Sequence, residues 1–170
     1  DEVEPTLHVM PSCHSAKRQV TPEAVKKVVD KLSDSYDYIL IDCPPSLGLA
    51  TLNAFVASTD IIVPLVSEVL PTLGMSMITD FVNMVSSRLN PRLHISGLVI
   101  TRWENSKISK SLSAGLKDRY GNLLFDTRIR KNVRLAEAPL TGKAIEEYDP
   151  ESNGAKDYTS LTNEIIDKIK

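Results

Sequence analysis

Aromatic side chains are scarce: one Trp, three Phe and five Tyr make up 5% of the 170 residues, so any core must be aliphatic. Cysteine is scarcer, with only Cys13 and Cys43. Two thiols are too few for a disulfide scaffold, and a reducing cytoplasm is the expected compartment. No uninterrupted apolar run reaches the ~18 residues of a transmembrane helix. The opening Asp1-Glu2-Val3-Glu4 is the reverse of a basic secretory n-region. Internal repeats and low-complexity tracts are missing, and the seven glycines stand singly. What remains is 42% hydrophobic and 25% charged, the composition of an ordinary globular protein. A chain of this length buries about two-thirds of its unfolded surface, and residues 1–170 are expected to form a single domain.

Net charge is −2, which argues against a generally basic nucleic-acid protein. The distribution is uneven. Residues 102–134 hold nine Lys/Arg against three acids, a local balance of +6 that leaves −8 for the rest. Such asymmetry points to one cationic face that attracts polyanions over about a Debye length. A solvated helix followed by a loop with ordinary surface lysines accounts for the same count.

Apolar patterning predicts alternating strands and helices. Strands are expected at 6–11, 38–41 (YILI), 60–66 (DIIVPLV), 95–101 (ISGLVIT) and, as a short edge, 123–129. Between them, helices are expected from Thr21, as N-cap with Pro22 at the first helical position, and over 46–57, 72–89, 110–120 and 154–170. Strands that are apolar throughout must be covered on both faces. Separated by helices, they imply an α/β fold with a parallel sheet and helices on both faces. Ligands of such sheets bind at the carboxyl ends of the strands, which directs attention to 42–48, 64–68 and the residues from Thr101 onward.

The strand at 38–41 runs directly into Asp42, a carboxylate placed where the backbone leaves the sheet. That is the position of a Walker B aspartate, which orders the water around a nucleotide's Mg²⁺; a carboxylate that merely caps the next turn has the same pattern. Pro44 and Pro45 follow, stiffening the turn and withholding two donors. Residues 36–54, YDYILIDCPPSLGLATLNA, closely resemble the Walker B and switch II region of the ParA/Soj-type deviant Walker (P-loop) partitioning ATPases, a group that includes MinD. Three further blocks continue the resemblance in order. DIIVP at 60–64 matches the next strand, KNVRLAEAP at 131–139 is like the family's (R/E)NVRLSEAP stretch, and YDPESNGA at 148–155 with Tyr158 resembles its YDPxSxGAxxY ending.

The resemblance implies roles for particular residues. Asp42 would be catalytic, holding Mg²⁺ through water, and Pro44 and Pro45 would belong to the segment that responds to the γ-phosphate. Adenine would lie between Thr101 and Arg102 on one side and the stretch around Asn132 on the other. Arg130 stands where relatives often have proline. Non-specific DNA binding would fall to Arg134 and Lys131, with Lys107 or Lys110 in the loop after Thr101. The implied cofactors are ATP and Mg²⁺. The implied partners are a second copy in an ATP-dependent homodimer, DNA, and a centromere-binding ParB-like protein, on the nucleoid in the cytoplasm.

The family's KGGxGKT-type loop, whose N–H groups cradle phosphate, has no counterpart here. The chain is therefore expected to be the C-terminal two-thirds of such an ATPase, lacking the N-terminal strand and phosphate loop. Turnover and tight Mg-ATP binding would then belong to the intact parent rather than to this chain alone. A strand at 38–41 without its neighbour is expected to drive self-association. Two other functions compete with DNA partitioning. One is a MinD-like membrane-cycling ATPase, for which the apolar residues Tyr158, Leu161, Ile165, Ile166 and Ile169 would have to serve a membrane rather than the sheet. The other is a non-catalytic binding module. Cys13, His14 and His8 fit no structural zinc spacing. Ser46 lacks the frame of a nucleophile elbow, and Met75, Met77 and Met84 read as packing residues.

Overall fold

The computed structural model describes residues 21–66 and 72–169. The expected strand at 6–11 and the group Cys13, His14 and His8 lie outside them. Three parallel strands, β1 (Asp60–Val66), β2 (His94–Trp103) and β3 (Leu124–Arg130), form a sheet in the order β1-β2-β3. Helices connect or flank them: α1 (Ala24–Leu32), α2 (Leu49–Ala57), α3 (Thr72–Arg88), α4 (Lys107–Tyr120), the single turns α5 (Arg134–Glu137) and α6 (Ile145–Tyr148), and the closing α7 (Asn153–Ile169).

Both faces of the sheet are covered, as continuous apolar strands require. Val63, Leu65, Leu98, Ile100 and Leu124 point to one face and pack with Met75 of α3 and Leu116 of α4. The alternate residues, Val99, Phe125 and Ile129, point to the other and meet Leu161 of α7. Gly97 lies on that second face beneath the Phe125 ring, where a Cβ would come within 2.2 Å of Cε2. A third cluster joins α2 to α3 through Phe55, Val56, Val82 and Val85.

Helix boundaries follow capping chemistry. Helix α4 begins at Lys107, three residues before the periodicity alone suggests, because the Ser106 hydroxyl accepts the Ser109 N–H at 3.1 Å. It ends at Gly121, whose φ of +53° suits glycine and whose N–H returns to the Lys117 carbonyl. At α1 the expectation needs correction. Pro22 and Glu23 form a turn, and Thr21 accepts the Ala24 N–H through its carbonyl at 3.1 Å rather than capping with its side chain. A second acceptor comes from outside the helix: Asn53 Oδ1 receives the same N–H at 3.0 Å, and Asn53 Nδ2 donates to the Leu49 carbonyl at 3.0 Å. This amide is 1% exposed and both its ends are used.

Residues 38–41 also differ from expectation. They join no ladder among the described residues, and Leu40 is 89% exposed. Ile41 still packs against the α2–α3 cluster. A strand exists only as half of a hydrogen-bonded pair, and no described residue pairs with this apolar segment. At the opposite edge, β3 is protected. Its ladder with β2 is irregular between Leu124 and Arg128, and there Glu164 of α7 accepts the N–H groups of Asp126 at 2.7 Å and Thr127 at 3.0 Å.

Candidate functional site

Because the strands are parallel, Val66, Trp103 and Arg130 end at the same side of the sheet. Two contacts staple the loops that follow β2 and β3. The Lys131 N–H donates to the Trp103 carbonyl at 3.0 Å, and Lys131 Nζ pairs with Glu104 at 2.7 Å. These contacts bring the neighbourhood of Thr101 and Arg102 beside Arg130 and Asn132. Between Ile100 and Trp103 the strand holds one residue more than its partner, and Arg102 has φ +53°. For a residue with a Cβ that conformation costs on the order of 1–3 kcal/mol and is held only by its surroundings.

Arg130 is committed to another partner. Its Nε and Nη2 grip the Asp157 carboxylate at 2.6–3.1 Å, and its own backbone N–H donates to the same group at 2.9 Å. The hydrogen bond to Asp157 holds the guanidinium pKa above its usual value. The residue standing where relatives often carry proline thus ties the end of β3 to α7. Asp157→Ala is expected to destabilise the fold by about 1–3 kcal/mol, since it strands charge-assisted donors. Thermal denaturation would check this, with Asp157→Glu retaining part of the loss.

Asn132 uses Oδ1 to accept the Arg134 N–H at 2.9 Å and so caps the turn into α5. Its Nδ2 donors have no partner among the described residues. The motif blocks 131–139 and 148–155 pack on each other through Leu135, Ala138, Tyr148 and Ala155, with Ile145 of the intervening segment completing the cluster.

Asp42 is exposed and forms no ion pair among the described residues. Its charge, after burial, contributes to raising the Cys43 thiol pKa. The structure does not join Asp42 to the loops at 101–104 and 130–134. Among the described residues no cluster of three His, Cys, Asp or Glu could hold a metal directly. A lone carboxylate free of protein cations does fit a hydrated Mg²⁺, which keeps several waters and takes its other ligands from phosphate oxygens.

The basic candidates are more neutralised than a local count implies. Arg134 pairs with Glu137 at 2.8 Å and Asp149 at 3.4 Å. Glu137 also accepts the Tyr148 hydroxyl at 3.1 Å, and its carboxyl is held below the usual range by the Arg134 and Tyr148 hydrogen bonds. Lys107 and Lys110 are exposed and carry no ion pair among the described residues. Glu137, Asp149 and Asp157, the residues that set these charges, were missed by sequence reasoning. Only Glu137, three positions after Arg134, leaves a local signal.

A fold of this class, a parallel α/β sheet with its candidate residues at the strand ends, is shared with known proteins. A family model described as an AAA domain matches residues 10–95. The chromosome-partitioning ATPase Soj of Treponema pallidum is 37% identical over 143 residues, covering 84% of this chain and 56% of that protein. The sporulation initiation inhibitor protein Soj of Bacillus subtilis is 37% identical over 142 residues, covering 83% and 56%. Among solved structures, cobyrinic acid a,c-diamide synthase of Mycobacterium smegmatis with bound ADP and magnesium superposes with a TM-score of 0.69 at 28% identity, over 86% of this chain and 53% of that one. The cell division ATPase MinD of Pyrococcus furiosus gives a TM-score of 0.64 at 25% identity, over 86% and 59%. The chain belongs to the ParA/Soj-type family of P-loop ATPases. It spans a little over half the length of these relatives.

Proposed function

We propose that the chain is the C-terminal part of a ParA-like ATPase domain that partitions DNA. In this reading ATP drives dimerisation, the dimer binds DNA without regard to sequence, and hydrolysis with a ParB-like partner releases it. The observation that carries the reading is Asp42, exposed and unpaired at the end of the apolar 38–41 segment and followed by the Pro44–Pro45 turn into α2, as in the family motif. When bound, Mg-ATP supplies the phosphoanhydride to be cleaved. Of this chain's residues, Asp42 would hold metal-bound water, Pro44 and Pro45 would stiffen the loop behind it, and Asn132 Nδ2 would donate to the base. The exposed Leu40 and the unladdered 38–41 segment support self-association, which light scattering over a concentration series tests.

Within this reading Arg134 and the neighbouring Lys107, Lys110 and Lys131 would meet DNA phosphates. Phosphate contacts are strongly salt-dependent, each adding about one to the slope of log affinity against log salt. Arg134→Glu in the full-length ATPase is expected to lower that slope by about one and to weaken binding equally across unrelated duplexes. Glu137→Gln is expected to do the reverse, because it removes one of the two carboxylates that neutralise Arg134. Filter binding or fluorescence anisotropy with Mg-ATP, at two salt concentrations, measures both; unchanged binding by both variants removes the patch. Membrane cycling finds less support. Leu161 and Ile165 of α7 pack on Val99, Phe125 and Ile129, so the helix uses that face on the sheet. No described helix is long and apolar enough to cross a membrane.

A further inference from the structure

A hollow of about 340 Å³ opens between α4 and the edge strand β3. Its helical wall carries Lys110, Ser113 and Lys117, spaced i, i+3 and i+7 and therefore on one face. Leu124, Asp126 and Arg128, alternate residues of β3, form the other wall. Along β3 the lining runs from Leu124, its first residue, to Arg128, two residues short of Arg130.

Three cations face this space against a single carboxylate. Asp126 is bound to Lys117 at 2.8 Å. Arg128 stacks over the Trp103 ring at 5.5 Å, which presets its guanidinium, and neither it nor Lys110 has an ion pair among the described residues. On the helical wall, one turn after Lys110, Ser113 is 4% exposed and makes no hydrogen bond among the described residues. Thr159, Ser160 and Thr162 of α7 all donate to the carbonyl four residues back, each at 2.9 Å. The Ser113 hydroxyl, not spent on that acceptor, is open to the cationic hollow and can bond a ligand there.

We propose that this hollow binds a terminal phosphate, either inorganic phosphate or a phosphomonoester, at a site distinct from the nucleotide reading above and sharing only Lys110 with the proposed DNA surface. The net charge of the walls matches a dianion. A terminal phosphate offers three free oxygens, enough for Lys110, Arg128 and Ser113 together. A phosphodiester offers one charge, two free oxygens and an ester on each side that would have to leave the hollow. The volume is at the lower end of the roughly 300–1,000 Å³ of small-ligand sites. That leaves room for a modest ester substituent beside Leu124.

The test uses the full ¹⁵N-labelled chain at constant ionic strength, titrated with inorganic phosphate, adenosine 5′-monophosphate, adenosine, and a duplex lacking terminal phosphates. Saturable shifts are expected at the amides of residues 113–117 and 124–128 with phosphate and the monophosphate, and none there with adenosine or the duplex, whose contact with Lys110 would move only the first turn of α4. Affinity should rise between pH 5 and pH 7, as the ester takes its second charge near pH about 6. Lys110→Gln and Arg128→Gln should each weaken binding about tenfold and Ser113→Ala about fivefold. Lys110 and Ser113 lend themselves to this because one is exposed and the other loses only an oxygen, so both variants keep the fold. Shifts absent from these amides, affinity unchanged in the variants, or an equal response to the terminus-free duplex would overturn the proposal. None of these outcomes depends on ATP turnover or on Arg134.

Discussion

Asp42→Ala is expected to lower ATP turnover by the full-length ATPase about 10²–10³-fold, the usual consequence of removing one electrostatic element from a reacting phosphate site. The fold should be indifferent. Asp42 is exposed, forms no ion pair among the described residues and contributes to none of the four apolar clusters. Surface substitutions of that kind move stability by no more than about 0.5 kcal/mol. Phosphate release at saturating Mg-ATP, measured beside a thermal melt, separates the two effects. Asp42→Asn should be nearly as impaired, because an amide holds metal-bound water without supplying charge. Turnover at the unmodified rate with an unchanged melt would show that Asp42 is a turn residue and would withdraw the catalytic part of the proposed function.

Gly97→Ala should be the most damaging single-methyl change in the sheet. The new Cβ would stand 2.2 Å from Cε2 and 2.3 Å from Cζ of Phe125, far inside contact distance. Phe125 is 2% exposed and packed against Val99, Ile129 and Leu161, so moving its ring disturbs those contacts. Nor can β2 retreat, because it is the central strand and is hydrogen-bonded on both sides. Overpacking of this type costs about 1–3 kcal/mol, and for a chain of this size a lowering of Tm by about 2–4 °C for each kcal/mol. Combining Gly97→Ala with Phe125→Leu tests the cause. If the ring is responsible, the double variant is more stable than the sum of the single losses predicts. Strict additivity would place the damage in the backbone instead.

Much of the architecture was legible in the order of residues. Strands β1 and β2, the long α3 and the closing α7 all announced themselves, because hydrophobic period is a local property that each segment carries with it. The stop of α4 at Gly121 was equally plain, as a residue tolerant of positive φ follows an amphipathic run. The motif blocks around Asp42, Asn132 and Tyr148 led to the family before any coordinates. Boundaries that depend on one hydroxyl, such as Ser106 ahead of α4, were missed by three residues. Residues 38–41 illustrate a different limit. Their composition is that of a buried strand, yet strand identity belongs to a pair, and no described neighbour completes it.

The sequence by itself determined the alternation of helix and strand, the parallel sense of the sheet, and which residues stand at the carboxyl ends of its strands. It also determined the number of cations between residues 102 and 134. Only the tertiary structure decided which of those cations are available. Arg130 is claimed by Asp157, Arg134 by Glu137 and Asp149, and Lys131 by Glu104, while Lys110 and Arg128 turn toward a hollow with the unpartnered Ser113. The reason is the short reach of these interactions. A charge is neutralised, or a hydroxyl satisfied, by whatever lies within about 4 Å. Residues 15 or 27 positions apart come that close only after the chain has folded.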